Sequence, residues 1–470
     1  MQNEHNTTRQ SPRRRKRTKM QIFKEAYLPT IILAATIVLI VVFIIGGSID
    51  RDSSMETQPP QTSSTAPSTA PSTEDVQAEF LKQEAANLII LAQKLAAEYD
   101  FEGAIAALDS FSGDETLFPA IGQARENYQK VIANMVSWSA SDVPNLSFHV
   151  LIADPGRAFA DKTYGSSYKK NFVTVSEFAA ILQQLYDNGY VLVDLDDFYG
   201  TQHNSSTGRD VYTETTLLLP EGKKPVMITE TNANYYTYMV DPNEDGKPDA
   251  KGAGFASKLC FDGEVFYNEI VNADGSISTG AYDLVPILEE FIVANPDFSY
   301  KGSRATIAFS GYDGILGYRI NSTILNEEQL QAEREGAAAI VKALKEFGYT
   351  LACYTYNNID YSTKDASAIQ TDLRKWADEI TPWIGELDVL VFARDGDIGD
   401  AAVYSGSKFN VLYNAGFRFF MGTGDAPWNQ VSELYVRHNR INVTGTNLTT
   451  HAELYSGMFD PATLLDNARP

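Results

Sequence analysis

Residues 393–400, ARDGDIGD, place three ionisable side chains within four positions: Arg394, Asp395 and Asp397. They directly follow residues 387–392, an apolar run of the kind that forms buried strands. Two carboxylates beside a guanidinium could carry out acid–base chemistry on a sugar, as paired carboxylates do in glycoside hydrolysis. A turn in which the glycines supply positive φ is the alternative. The segment is therefore a candidate catalytic site.

The histidines argue against one kind of metal site. The chain has five of them: His5, His149, His203, His438 and His451. No two lie within ten residues of each other, so there is no His-x-x-x-His pair to hold zinc or cobalt locally. We expect no zinc site of that type.

One acidic loop has the spacing of a calcium-binding segment. In residues 241–249, DPNEDGKPD, oxygen-bearing side chains occupy positions 1, 3, 5 and 9: Asp241, Asn243, Asp245 and Asp249. Gly246 stands at position 6, as in loops that wrap calcium, but Gly252 stands where a bidentate Glu would complete the shell. An acidic surface turn has the same composition. Calcium is thus a hypothesis, and it is the one cofactor that the sequence suggests.

Aromatic side chains are dense around the predicted strand ends. Those that could bind a substrate, together with a nearby histidine, are Tyr235, Tyr236, Tyr354, Trp428 and His149. An aromatic ring can bury the apolar face of a sugar while hydroxyl groups meet polar neighbours. Because the chain has 25 tyrosines, packing in the core is the alternative for each of them.

Predicted β-strands and predicted α-helices alternate along the part of the chain that would position these residues. The predicted strands are 147–152, 190–195, 225–229, 305–309, 349–353, 387–392 and 417–422, and helical patterns lie between them, for example at 327–347. This alternation predicts an α/β fold with a parallel sheet, and about 320 residues suit a closed β/α barrel. Residues 236–282 break the pattern and are predicted to be an insertion with a β-hairpin near 272–276. Cys260 and Cys353 could pair outside a membrane or remain buried thiols.

The N-terminal segments indicate a membrane anchor. Residues 1–26 carry a net charge of +6, and residues 27–49 form an apolar run long enough for a transmembrane helix. The basic flank predicts a cytoplasmic tail with the main domain on the outer side, although a cleaved signal peptide is the alternative. Residues 50–75 read as a Ser/Thr/Pro-rich linker, and residues 76–140 as a helical stalk or cap.

The charge balance restricts the partners. The chain carries −23 in total, so residues 27–470 carry −29. Nucleic acid and anionic lipid would be repelled by such a domain. We expect no nucleic-acid partner.

Five segments, in their order and spacing, resemble the polysaccharide deacetylases of carbohydrate esterase family 4: 171–200, 223–239, 347–358, 372–400 and 437–448. The resemblance covers residues of about 145–450, and it implies a distorted barrel of about seven β/α units over residues 145–455. Phe148-His149 falls at the opening Tyr-His position of that family, and the family also has an arginine near Arg394.

The resemblance implies a divalent metal held by one Asp and two His, beside an Asp that acts as base. Here the base position falls on Thr231 and the metal Asp on Asn232, while the two His positions fall on Tyr354 and Asn358. Thr and Tyr are not bases near pH 7, and Asn is a neutral, weak ligand. The chain therefore resembles a divergent member without the usual ligands.

Three functional hypotheses follow. The first is a membrane-anchored, extracytoplasmic, deacetylase-like protein of the bacterial cell envelope that binds envelope glycan or peptidoglycan, or scaffolds a complex, without catalysis. The second is an active carbohydrate esterase or hydrolase with a non-standard site. The third is a protein-interaction module formed by residues 76–140.

Overall fold

The computed structural model describes residues 73–240, 254–400 and 402–469, which form two compact units. The predicted tail 1–26 and membrane helix 27–49, and all but the end of the linker 50–75, lie outside this range. Among the described residues, no helix is both long and apolar enough to cross a membrane.

The first unit is helical and takes in residues up to 94 together with 101–128. Its helices are α1 (Thr73–Ala97), α2 (Phe101–Asp109) and α3 (Pro119–Ala133), of which α1 and α3 continue into the second unit. Arg125 of α3 forms ion pairs of 2.6 Å with Asp109 and 2.7 Å with Glu115, which tie the end of α2 and the following turn to α3.

The described residues of the second unit form sixteen strands: β1 (Val136–Trp138), β2 (Asn145–His149), β3 (Tyr190–Leu192), β4 (Tyr199–Asn204), β5 (Arg209–Glu214), β6 (Leu217–Leu219), β7 (Lys224–Thr231), β8 (Ala256–Phe261), β9 (Phe266–Val271), β10 (Ile277–Gly280), β11 (Thr306–Phe309), β12 (Thr350–Cys353), β13 (Val389–Val391), β14 (Phe419–Thr423), β15 (Asn429–Val431) and β16 (Val436–Asn442). Its helices are α4 (Pro155–Ala160), α5 (Gly165–Asn171), α6 (Val175–Asp187), α7 (Thr237–Val240), α8 (Leu284–Ala294), α9 (Glu327–Phe347), α10 (Ala366–Glu379), α11 (Thr381–Ile384), α12 (Gly406–Asn414), α13 (Gly445–Thr450) and α14 (Pro461–Leu464).

Seven parallel strands close into a barrel in the order β2, β7, β11, β12, β13, β14 and β16, with β16 returning to β2. The predicted α/β barrel with a parallel sheet is confirmed. The helices that cover it have strong sequence signals at their ends. Helix α9, for example, begins after the capping box at Asn326 and ends at Gly348, whose φ of 101° closes the last turn.

One predicted barrel strand lies outside the ring. The run at 190–195 forms β3, which pairs with β7 as an additional strand, and the seventh ring strand is β16, which was not among the seven predicted strands. Strand β16 has no apolar alternation because Arg437, His438 and Arg440 are all buried within it. A prediction based on hydrophobic periodicity therefore cannot find this strand, because it contains buried charged residues.

An antiparallel sheet, β8 to β10, lies between β7 and α8 in the chain. The turn at 272–276 joins β9 to β10, with Asn272 N donating to Ser276 O at 2.8 Å, as the predicted hairpin requires. The acidic loop with Asp241, Asn243, Asp245 and Asp249 lies outside the described residues. Cys260 and Cys353 are both buried free thiols.

Candidate functional site

The carboxyl ends of the barrel strands carry an unusual set of backbone conformations. Asn232 after β7, Thr355 and Asn358 after β12, and Arg394 and Asp395 after β13 all have φ between 49° and 63°. This left-handed conformation costs a non-glycine residue roughly 1–2 kcal/mol, and such strain gathers at functional sites. The strand ends of this barrel mouth are therefore the candidate site, as in other β/α barrels.

At the end of β7, Thr231 is buried and bound to its neighbours. Its hydroxyl donates to Phe148 O at 3.0 Å and lies 3.0 Å from His149 Nδ1. The half-buried His149 ring packs on Phe172 at 5.3 Å. Burial lowers the pKa of His149, and the nearby Arg440 guanidinium lowers it further, so the imidazole is neutral at pH 7.

Asn232 is joined to the loop after β11. Its Oδ1 accepts a hydrogen bond from the Tyr236 hydroxyl, which also lies 2.8 Å from Ser310 Oγ. Asn234 donates to Ser310 O at 2.7 Å and accepts from Ser310 N at 2.9 Å. The ends of β7 and β11 are thereby locked to each other.

Tyr354 and Asn358 hold the loop that follows β13. Arg394 N donates to the Tyr354 hydroxyl at 3.3 Å, and Arg394 Nε donates to Asn358 O at 2.9 Å. Burial raises the pKa of Tyr354, which keeps its hydroxyl protonated. Asp372 of α10 fixes the loop after β12, because its carboxylate accepts from Tyr356 N at 2.7 Å and from Asn357 N at 3.0 Å.

These residues do not fit the divalent metal that the family resemblance implies. All four positions carry neutral side chains: Thr231, Asn232, Tyr354 and Asn358. The side chains of the first three, and the backbone carbonyl of Asn358, are hydrogen-bonded to the protein. Within the part of the chain that the structure describes, no three His, Cys, Asp or Glu residues are grouped as a metal site. No reaction step through a metal is derived for this mouth.

Asp395 and Arg440 are connected through one hydroxyl. Thr423 Oγ1 donates to Asp395 Oδ1 at 2.6 Å and accepts from Arg440 Nη2 at 3.2 Å. Asn442 Nδ2 adds a second bond to Asp395 Oδ1 at 3.2 Å, while Arg440 Nη1 donates to Ser147 Oγ at 2.8 Å. Asp395 is exposed, whereas Arg440 is 1% exposed. An exposed carboxylate thus lies above a buried cation.

Asp397, the other carboxylate of the predicted pair, has a different partner. It accepts from Arg437 Nη2 at 2.9 Å and from the Tyr404 hydroxyl. The Arg437 guanidinium lies between two rings, 4.0 Å from the centre of Tyr404 and 4.9 Å from that of Trp428. Asp397 and Trp428 therefore surround a buried arginine, and the structure does not join Asp397 to Asp395 as a pair.

Tyr235 lies in the core rather than at the mouth. It is 2% exposed, and its hydroxyl accepts from Asn268 Nδ2 at 3.2 Å. Burial, together with the charge of Asp283, raises the pKa of Tyr235. These residues form a buried polar cluster between β7, β9 and the start of α8.

A row of tyrosines borders the strand ends. Tyr236 stacks on Tyr238 at 5.6 Å and contacts Tyr312 at 6.0 Å, while Tyr164 contacts Tyr238 at 5.1 Å. Tyr164 is 40% exposed and Tyr312 57% exposed. We call these four residues the tyrosine row. Sequence reasoning missed Tyr164 and Tyr312. Tyr312 comes directly after barrel strand β11, which is the signal that could have found it, whereas Tyr164 comes after helix α4.

No protein-family model matches the chain, and no curated protein matches it. Among solved structures, the Streptococcus pyogenes deacetylase PplD, in complex with acetate, is similar to this chain, with 11% sequence identity and a TM-score of 0.33. The similarity covers 69% of this chain and 98% of that one. A likeness of this degree does not decide the chemistry of the mouth, so the function is inferred from the residues themselves.

Proposed function

We propose that this protein is a membrane-anchored, extracytoplasmic, deacetylase-like barrel that binds cell-envelope glycan at its mouth without deacetylating it. One observation carries the proposal: the tyrosine row borders strand ends at which all four family positions have neutral side chains, three of them hydrogen-bonded to the protein. The envelope location rests on the apolar run at 27–49 and the linker at 50–75.

The tyrosine row supplies the apolar part of a sugar site. The exposed rings of Tyr164 and Tyr312 can stack on the CH faces of sugars, while Tyr238 packs on Tyr164 and buried Tyr236 packs on Tyr312. Asp395 is an exposed acceptor for sugar hydroxyl groups, and Asn232 is a partly exposed polar neighbour. A few fixed polar groups beside aromatic surface are typical of a ligand site.

The same geometry disfavours the deacetylation chemistry of the family. Thr231 stands at the base position and donates its hydroxyl proton to Phe148 O, and a threonine hydroxyl is not a base near pH 7. The protonated Tyr354 hydroxyl and the amide of Asn358 are poor substitutes for imidazole ligands. Binding without turnover is the function that these side chains support best.

Calorimetry on the full chain in detergent micelles tests the proposal, with N-acetylglucosamine tetrasaccharide as the probe and a metal chelator present throughout. Tyr312→Ala removes an exposed ring and should weaken binding about fivefold to tenfold, close to the contribution of one aromatic contact. Tyr312→Phe keeps the ring and should bind like the wild type. Val293→Ala, at an 81% exposed side chain of α8, is the control for surface truncation.

Equal affinity of wild type and Tyr312→Ala would reject the mouth as the binding surface. Absence of binding to this tetrasaccharide and to peptide-free peptidoglycan strands would reject glycan binding altogether.

One observation favours an active hydrolase as a second candidate. Asp395 is an exposed carboxylate, held in a left-handed conformation by Thr423 and Asn442 and without a salt bridge to a cation among the described residues. It could act as a base toward water at the mouth. Acetate release by the wild type in chelator, lost in Asp395→Asn, would support this reading. No release by the wild type would reject it.

A further inference from the structure

A buried positive charge lies beneath the mouth. Among the described residues, the Arg440 guanidinium is bonded only to uncharged groups: Ser147 Oγ, Phe392 O and Thr423 Oγ1. Its Nε has no hydrogen-bond partner there, and Asp395 is linked to it only through the Thr423 hydroxyl. Burying a charge without a direct counter-ion is costly, so a negative group bound above it would be favoured.

A second arginine stands at the surface of the same site. Arg394 is exposed, and its left-handed φ of 55° directs the chain around the end of β13. Nε is bonded to Asn358 O, whereas neither Nη atom bonds to a described residue. The two Nη groups form the planar fork that matches a carboxylate.

These groups belong to one electrostatic site. The Tyr354 hydroxyl interacts with the charges of Arg440, Arg394 and Asp395 together, so this set of two cations and one anion has a net charge of +1. Two neighbouring acids are paired with other arginines, Asp397 with Arg437 and Asp313 with Arg319, while Asp360 accepts hydrogen bonds from Ser362.

We infer that the glycan taken by this mouth bears a carboxylate, which Arg394 binds through its Nη groups while Arg440 stabilises the charge from beneath. The inference rests on the proposed glycan-binding function and names its substrate class. A single carboxylate balances the excess charge of +1 of this set, whereas a chain of phosphodiesters brings further negative charges that would meet the repulsion of Asp395. A planar carboxylate also suits the planar fork of Arg394.

The test compares ligands that differ in one group. The carboxylate probe is a peptide-free tetrasaccharide of alternating N-acetylglucosamine and N-acetylmuramic acid, whose lactyl groups end in free carboxylates. The neutral probe is the same tetrasaccharide after carboxyl reduction, and the phosphate probe is a glycerol phosphate oligomer. Each is titrated into the full chain in neutral detergent at low and high salt. The variants are Arg394→Gln and, as a matched control, Arg209→Gln at an exposed arginine of β5.

The wild type should bind the carboxylate probe about fivefold to tenfold more tightly than the reduced probe, and salt should diminish this preference. Arg394→Gln should bind both probes alike, at about the wild-type affinity for the reduced probe, whereas Arg209→Gln should keep the preference.

Three results would overturn the inference. Equal binding of the two tetrasaccharides by the wild type would reject the carboxylate while glycan binding stands. Tighter binding of the phosphate oligomer would assign the mouth to another anion. If none of the probes bound, the proposed function itself would fail.

Discussion

The buried acid pair Glu230 and Asp283 makes the stability of the barrel depend on pH. Glu230 is 1% exposed and Asp283 is not exposed at all. Asp283 accepts hydrogen bonds from Leu151 N, at 2.8 Å, and from the Tyr235 hydroxyl, which favour its charged form. Burial, and the charge of Asp283, raise the pKa of Glu230 well above its usual range. Glu230 is therefore protonated in the folded state, and its hydroxyl donates a hydrogen bond to Asp283.

A raised pKa in the folded state fixes the sign of the pH dependence. Above the unfolded pKa of about 4.3, the folded protein holds one proton that the unfolded chain has released. The free energy of unfolding contributed by Glu230 is fully present below that pH, and it falls by about 1.4 kcal/mol per pH unit until the folded pKa is reached. In Glu230→Gln the side chain has no proton to lose and keeps a hydrogen-bond donor toward Asp283. The contribution of residue 230 to the free energy of unfolding should therefore not change with pH in this variant.

Urea unfolding of the full chain, followed by tryptophan fluorescence between pH 5.5 and 7.5, measures the effect. The free energy of unfolding of Glu230→Gln, minus that of the wild type, should rise with pH, by at most about 1.4 kcal/mol per pH unit while folded Glu230 keeps its proton, because this difference isolates one proton. Glu290→Gln, at an exposed acid of α8, should show no such slope. Parallel curves for wild type and Glu230→Gln would show that Glu230 is ionised when folded, which would refute the reasoning.

Two further substitutions test the loops that shape the mouth. In Gly396→Ala the new Cβ would meet Asp360 Oδ1 at 1.9 Å and Asp360 Cα at 3.0 Å, so the loops after β12 and β13 must move apart, at a cost of about 1–3 kcal/mol in urea unfolding. Gly200→Ala, whose Cβ meets only ordinary contacts, is its control, and an equal effect of the two would contradict the packing. Asp372→Asn places a donor against the amides of Tyr356 and Asn357 and should cost about 1–3 kcal/mol, with weaker glycan binding. Asp378→Asn, exposed on the same helix, should leave both measurements unchanged.

The barrel could be predicted from the sequence because six of its seven strands are short apolar runs between helical patterns. Runs such as 349–353 and 387–392 form strands that are buried on both faces, and such strands can be recognised from their continuous apolar composition. Strand β16 could not be found in this way, since Arg437 and Arg440 interrupt its apolar pattern. The hydrogen bonds that allow these two arginines to be buried come from residues distant in the chain, such as Asp397 and Ser147. A pattern of neighbouring residues cannot predict such partners.

The candidate site was predictable in position but not in its pairings. The sequence located Arg394 and Asp395 after a strand, where the structure has them at the mouth. It could not show that Asp397, two residues further, turns to Arg437, because that depends on the side-chain direction after Gly396. Tyr164 and Tyr312 lie 148 positions apart in the chain and become neighbours of one row only when the barrel closes.

The central claim is that the mouth binds glycan without metal chemistry. The most direct test uses a single preparation of the full chain, which is dialysed and divided into two portions. Bound zinc, cobalt and nickel are measured in one portion, and acetate release from N-acetylglucosamine tetrasaccharide and from acetylated peptidoglycan in the other. The account predicts less than stoichiometric metal, no acetate, and tetrasaccharide binding that a chelator leaves unchanged. Stoichiometric metal together with acetate release that the chelator abolishes would contradict it, and the mouth would then be that of a deacetylase.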